Sequence, residues 1–173
     1  MRNLRNRGIV VIAAVLVAVA VIAALAWPHR IAEAAMGAPL VVKGMQVCVD
    51  SRRDVGSVRV GGSQVRAEGV FIVLRVTITT AVEGRHEVAN SLFRVADARG
   101  FSYEVASVTS DLQGGSGWGI MAQRGRPQSV ALVFDVPPGF VVRWLEVAPL
   151  LDTPEYTAEG HFTVAGRVDV RSH

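Results

Sequence analysis

The chain has 173 residues, 50% of them hydrophobic and 19% charged, which is one domain's worth of sequence even after a terminal segment is set aside. Its net charge of +3 resides in Arg2, Arg5 and Arg7, because the other 15 basic residues (18 minus 3) balance the 15 acidic ones. A domain with balanced, interspersed charge lacks the clustered cations that a phosphate backbone requires, so no nucleic-acid partner is expected.

Residues 1–7 read as a short cytoplasmic tail. From Gly8 to Trp27 the sequence is GIVVIAAVLVAVAVIAALAW, twenty residues without a charge. As a helix rising about 1.5 Å per residue it would span about 30 Å, the thickness of a bilayer's hydrocarbon core. Its eleven Val, Ile and Leu residues, at roughly −0.3 to −0.6 kcal/mol each, favour insertion by about 3 to 7 kcal/mol.

The arginines ahead of the run hold the N-terminus in the cytoplasm, whereas Arg30 and Glu33 nearly cancel behind it. The expectation is a single-pass signal anchor over 8–27 in the cell membrane, with everything after it extracytoplasmic. A cleaved signal peptide is the competing reading, since Ala24-Leu25-Ala26 and Ala32-Glu33-Ala34 have the small-x-small form of a cleavage site. The apolar run exceeds the usual signal core of about 7 to 15 residues, which favours the anchor. Small-xxx-small spacings at Ala14/Ala18 and Ala20/Ala24 follow from the alanine content of the helix and support no dimer.

Residues 28–39 (PHRIAEAAMGAP) read as a tether with room for a helical turn at Ile31 to Met36. Beyond it, residues 40–173 take a period of two. In Val70 to Thr80, Val70, Ile72, Leu74, Val76 and Ile78 fall on one face and Arg75, Thr77 and Thr79 on the other, as in a strand with one face buried. Gln128 to Val136 and Phe162 to Arg171 repeat the pattern. Shorter strands are expected at Leu40 to Val49, Val55 to Val60, Leu92 to Ala96, Phe101 to Ala106 and Val142 to Val147.

Gly61-Gly62, Asp97-Ala98-Arg99-Gly100 and Pro137-Pro138-Gly139 supply the turns, the second joining a hairpin. Seven or eight short strands without a helical period predict an all-β fold, an antiparallel β-sandwich. Ser107 to Arg126, which holds GGSGWG, reads as a long loop.

The segments VFIVLRVTIT (70–79), SLFRVADARGFSYEV (91–105) and SVALVFDVPPGF (129–140) resemble a bacterial family of extracellular, telokin-like, immunoglobulin-like domains of unknown function. Phe93, Asp97, Gly100, Tyr103, Phe134, Asp135, Val136 and Pro137 stand at the matching places. The resemblance spans roughly residues 40 to 150 and implies an immunoglobulin-like sandwich outside the cytoplasm, tethered by an anchor or lipid. The chain departs from the family in having Thr80-Ala81-Val82-Glu83-Gly84 after the long strand, where the family commonly has an Asn-Thr or Asn-Gly turn.

No residue set points to catalysis, and no catalytic, cofactor-binding or metal-ligating residue is assigned. Cys48, the single cysteine, alternates with Met45, Val47 and Val49 and shares a face with Gln46 and Asp50, as a structural thiol would, the alternative being an intermolecular disulfide. His86-Glu87 opens like a zinc helix, but Asn90 stands where the second histidine belongs; His29, His161 and His173 are scattered. Ser116 lacks the closing glycine of a nucleophile elbow. Asp and Glu residues stand singly, as solvated charges do. Trp118, an aromatic flanked by glycines in a loop, is the one weak binding candidate, whereas Trp144 alternates as a strand residue.

The function expected is non-catalytic binding at the cell envelope by a membrane-anchored domain whose partner is a protein or envelope component. The alternatives are an accessory subunit of a membrane complex such as an exporter, or a secreted β-sandwich released by signal cleavage.

Overall fold

A computed structural model describes residues 31–113, 119–150 and 162–171. The proposed anchor over 8–27 lies outside the described residues; among those described, no helix is long and apolar enough to cross a membrane.

Among the described residues eleven strands follow in order: β1 (Ala32–Ala35), β2 (Pro39–Val42), β3 (Met45–Val60), β4 (Ser63–Thr80), β5 (Arg85–Ala89), β6 (Phe93–Ala96), β7 (Ser102–Glu104), β8 (Gly119–Gln123), β9 (Gln128–Val136), β10 (Trp144–Val147) and β11 (Gly166–Asp169). One short helix, α1 (Val108–Leu112), stands between β7 and β8. They form a five-stranded sheet ordered β1-β11-β10-β6-β7, a four-stranded sheet ordered β2-β3-β4-β9, and a β5-β8 ribbon. The fold is a β-sandwich.

The alternation in the sequence sets the layers. On β4, Ile72, Leu74, Val76 and Ile78 are buried, as are Met45, Val47 and Val49 on β3 and Leu132 and Phe134 on β9. They share one core with Phe93 and Val95 of β6, Leu145 and Val147 of β10, and Val168 of β11. Fully burying each such aliphatic or phenyl side chain stabilises the fold by about 1.5–3 kcal/mol.

Several expectations change. Ala32–Ala35 is strand β1, not a helical turn, so the domain begins inside the expected tether. β1 pairs parallel to β11, Ala32 with Gly166 through Ala35 with Asp169, so the sandwich is mixed, not purely antiparallel. Backbone pairing overrides the helix propensity of this alanine-rich stretch because β11 otherwise lacks a neighbour on that side.

Leu40 to Val49 divides into β2 and the start of β3 around Lys43 and Gly44, and β3 runs on to Val60 through irregularities between Val49 and Ser51 and between Val55 and Ser57. Gly61 and Gly62, both at positive φ, close the β3–β4 hairpin as a two-residue turn. The Asp97–Gly100 turn joins β6 to β7 as expected. The Ser107–Arg126 stretch is no plain loop, since it contains α1 and β8.

α1 explains an exception to the alternation. Phe71 and Val133 point away from the main core yet are buried, because Val108 of α1 packs against them in a second apolar cluster with Val55, Val58, Val60 and Val65 around it. Val133 also receives the helix's polar anchor. Its N–H donates to Thr109 Oγ1 at 2.9 Å, while its carbonyl accepts from Thr109 Oγ1 at 3.2 Å and from the Ala106 N–H at 2.7 Å.

The two ends of the sandwich differ. The chain enters at the end where Ala32, Gly166, Val147 and Phe93 lie in register and Leu150 N–H donates to Lys43 O. At the opposite end the β3–β4 hairpin continues past the Val55–Phe71 pair to its turn.

Candidate functional site

The opposite end also carries a groove with mixed chemistry in its walls. Gly69 interrupts the side-chain pattern of β4 because a Cβ there would lie 2.1 Å from the Val136 carbonyl oxygen. That close approach lets Asp135 of β9 reach across: its carboxylate accepts from Glu68 N–H at 2.9 Å and Gly69 N–H at 3.2 Å. The chain then turns at Pro137-Pro138-Gly139-Phe140, with Phe140 N–H donating to Pro137 O at 3.1 Å. Phe140 meets Tyr103 of β7 edge to face, with ring centroids 4.8 Å apart.

The result is an open groove of about 330 Å³ lined by Glu68, Gly69, Tyr103, Asp135, Val136, Pro137 and Pro138. It lies where β7, the edge of one sheet, adjoins β9, the edge of the other. Asp135 has both oxygens committed to backbone donors, so its role is to hold the wall. Glu68 makes no ion pair and Tyr103 no hydrogen bond among the described residues.

Two further polar devices shape this end. Arg52 Nη1 donates to Val142 O at 3.1 Å and to Val170 O at 2.9 Å, while Nε and Nη2 pair with Asp54, each at 2.8 Å. One guanidinium thereby ties the β3 side to the β10–β11 side. Asp97 is buried in its turn and accepts from Arg99 N–H and Phe101 N–H at 2.8 and 3.0 Å and from Arg99 Nε at 3.0 Å. Burial opposes ionisation there, but those hydrogen bonds and the Arg99 charge together hold its carboxyl below the usual carboxylate range.

Acidic residues are not all solvated singly. Register places Glu33, Arg167, Glu146, Arg94 and Glu104 in one row across all five strands of the first sheet. Arg167 pairs with Glu146 at 3.0 Å and Arg94 with Glu104 at 2.7 Å. Glu146 is only 7% exposed. The alternation of sign was invisible in the sequence because its members come from strands far apart in the chain.

Trp118 and Ser116 lie outside the described residues, as do His29, His161 and His173. Cys48 sits half-buried on the outer face of β3; burial, with the Asp50 carboxylate beside it, raises its pKa and leaves the thiol protonated. His86 Nε2 donates to the Glu83 carbonyl. Among the described residues no three His, Cys, Asp or Glu side chains stand close enough to hold a metal ion. Trp144 is a strand residue of β10, with the Arg143 guanidinium 4.7 Å from its ring centroid. Glu68 carried no sequence signal beyond the glycine after it, whereas Tyr103, Asp135 and Pro137 appeared only as marks of a turn-and-strand pattern.

No protein-family model and no curated protein matches the chain. Solved structures do. The yjhA protein of Bacillus subtilis aligns with a TM-score of 0.55 at 16% identity, over 79% of this chain and 98% of its own. MPT63, a secreted protein of Mycobacterium tuberculosis, aligns with a TM-score of 0.53 at 13% identity, over 83% and 99%. An uncharacterised β-sandwich protein of Clostridium difficile 630 gives 0.51 at 14% identity, over 83% and 95%. What is shared is the fold.

Proposed function

We propose that the chain is a membrane-anchored, extracytoplasmic β-sandwich of the immunoglobulin-like, telokin-like kind, acting by non-catalytic binding at the cell envelope. The observation that carries this reading is the uncharged stretch Gly8 to Trp27 behind Arg2, Arg5 and Arg7, which has the length and flanking charge of a signal anchor. The fold is consistent with it, since one of the similar structures is a secreted protein. The groove between β7 and β9, whose Glu68 carboxylate and Tyr103 hydroxyl have no partner among the described residues, is the place where such a domain would meet its partner.

The test is topological. With a C-terminal epitope, the chain should fractionate with membranes, retain residues 1–27, and lose the epitope to protease added outside intact spheroplasts. An epitope that protease reaches only after lysis would overturn the reading. A mature protein starting at Trp27 or Ala35 in the soluble pool would replace the anchor with a secreted form.

A further inference from the structure

Resting on the binding role proposed above, we infer that the β7–β9 groove receives a long basic side chain, arginine or lysine, presented by an extended segment of a partner protein. The walls divide by chemistry. Tyr103, Val136, Pro137 and Pro138 offer apolar surface, and Glu68 and Asp135 contribute carboxylates. A small cation would satisfy only the second set. A side chain with an aliphatic stem and a charged head satisfies both, stem against prolines and ring, head toward Glu68.

The charge balance of the lining supports the choice, because two acids and no base line the groove. Arg66, on the same strand two residues before Glu68, forms no ion pair with it among the described residues. Asp135 keeps its position through the Glu68 and Gly69 amides, so its charge is preorganised.

The strand edge supports a polypeptide as the source. Val133 turns its N–H and C=O outward to Thr109 and Ala106, away from β4. By the alternation of an antiparallel ladder, Asp135 directs its own N–H and C=O to the same edge, the one that β7 adjoins, beside the groove. An extended segment can pair there while its side chain enters, as in strand addition to a sheet edge.

The experiment uses the full chain, isotope-labelled in detergent micelles, titrated with the peptide acetyl-Val-Arg-Val-amide. The same peptide with citrulline, a neutral isostere of arginine, is the charge control, and putrescine is the control for a free polyamine. The arginine peptide should move the amide signals of Glu68, Gly69, Tyr103 and Asp135, and Glu68→Gln should weaken binding about fivefold. Glu68 is exposed, so this variant keeps the fold.

Equal binding of the citrulline peptide, indifference to Glu68→Gln, or tighter binding of putrescine than of the peptide would each overturn the proposal. A charge-dependent response from a chain found in the cytosol would sink the location and leave the site. An anchored chain blind to charge would do the reverse.

Discussion

Gly69, Asp97 and Asp169 each make a testable demand on this sandwich. At Gly69 any side chain would collide with the Val136 backbone, so Gly69→Ala should displace β4 from β9 and lower stability by about 1–3 kcal/mol in urea unfolding. Asp97 makes a pH-dependent demand. Its folded pKa is lowered, so its contribution is present above the unfolded value of about 3.9 and is lost as pH falls through the folded value. Asp169, held low chiefly by hydrogen bonds from Arg171, behaves alike. Melting temperature should therefore drop below about pH 4 in the native chain, and Asp97→Asn should flatten part of that drop; an unchanged profile would deny Asp97 this role.

At the level of elements, the tie between sheets through Arg52 and the seat of α1 are separable by mutation. Arg52→Ala orphans the Val142 and Val170 carbonyls and should cost about 3 kcal/mol, whereas Asp54→Asn removes only a half-exposed partner and should cost under about 1 kcal/mol. Thr109→Val keeps the shape of the side chain but leaves Val133 N–H without its acceptor, at a cost of about 1–3 kcal/mol. Equal losses for the two charge variants, read by chemical denaturation, would refute the asymmetry.

The same elements show what sequence patterning could and could not reveal. β4 and β9 were legible because Leu74, Val76 and Ile78 alternate with Arg75, Thr77 and Thr79, and Val130, Leu132, Phe134 and Val136 recur at every second position, and the turns because glycine and proline stand where a chain must reverse. β1 was not, because Ala-Glu-Ala-Ala has no β signature and becomes a strand only by pairing with β11, far away in the chain. The outward Val133 gave no hint of burial, since α1 covers it from outside the strand. The groove was equally hidden: Glu68, Tyr103 and Pro137 lie apart in the chain, and only the meeting of two sheet edges gathers them.

Across the whole molecule, one feature reaches from the first described strand to the last. β1 has its register partner only at Gly166–Asp169. A polypeptide that emerges vectorially from a translocon delivers Ala32–Ala35 first and must hold that edge unzipped until nearly the entire chain has followed. The β3–β4 hairpin, whose partners are neighbours in sequence, can form while threading continues. On the export proposed above, maturation would wait for transfer to be completed, and a product stopped before residue 166 would present two unmatched ladders, from β1 and β10, to proteases of the envelope.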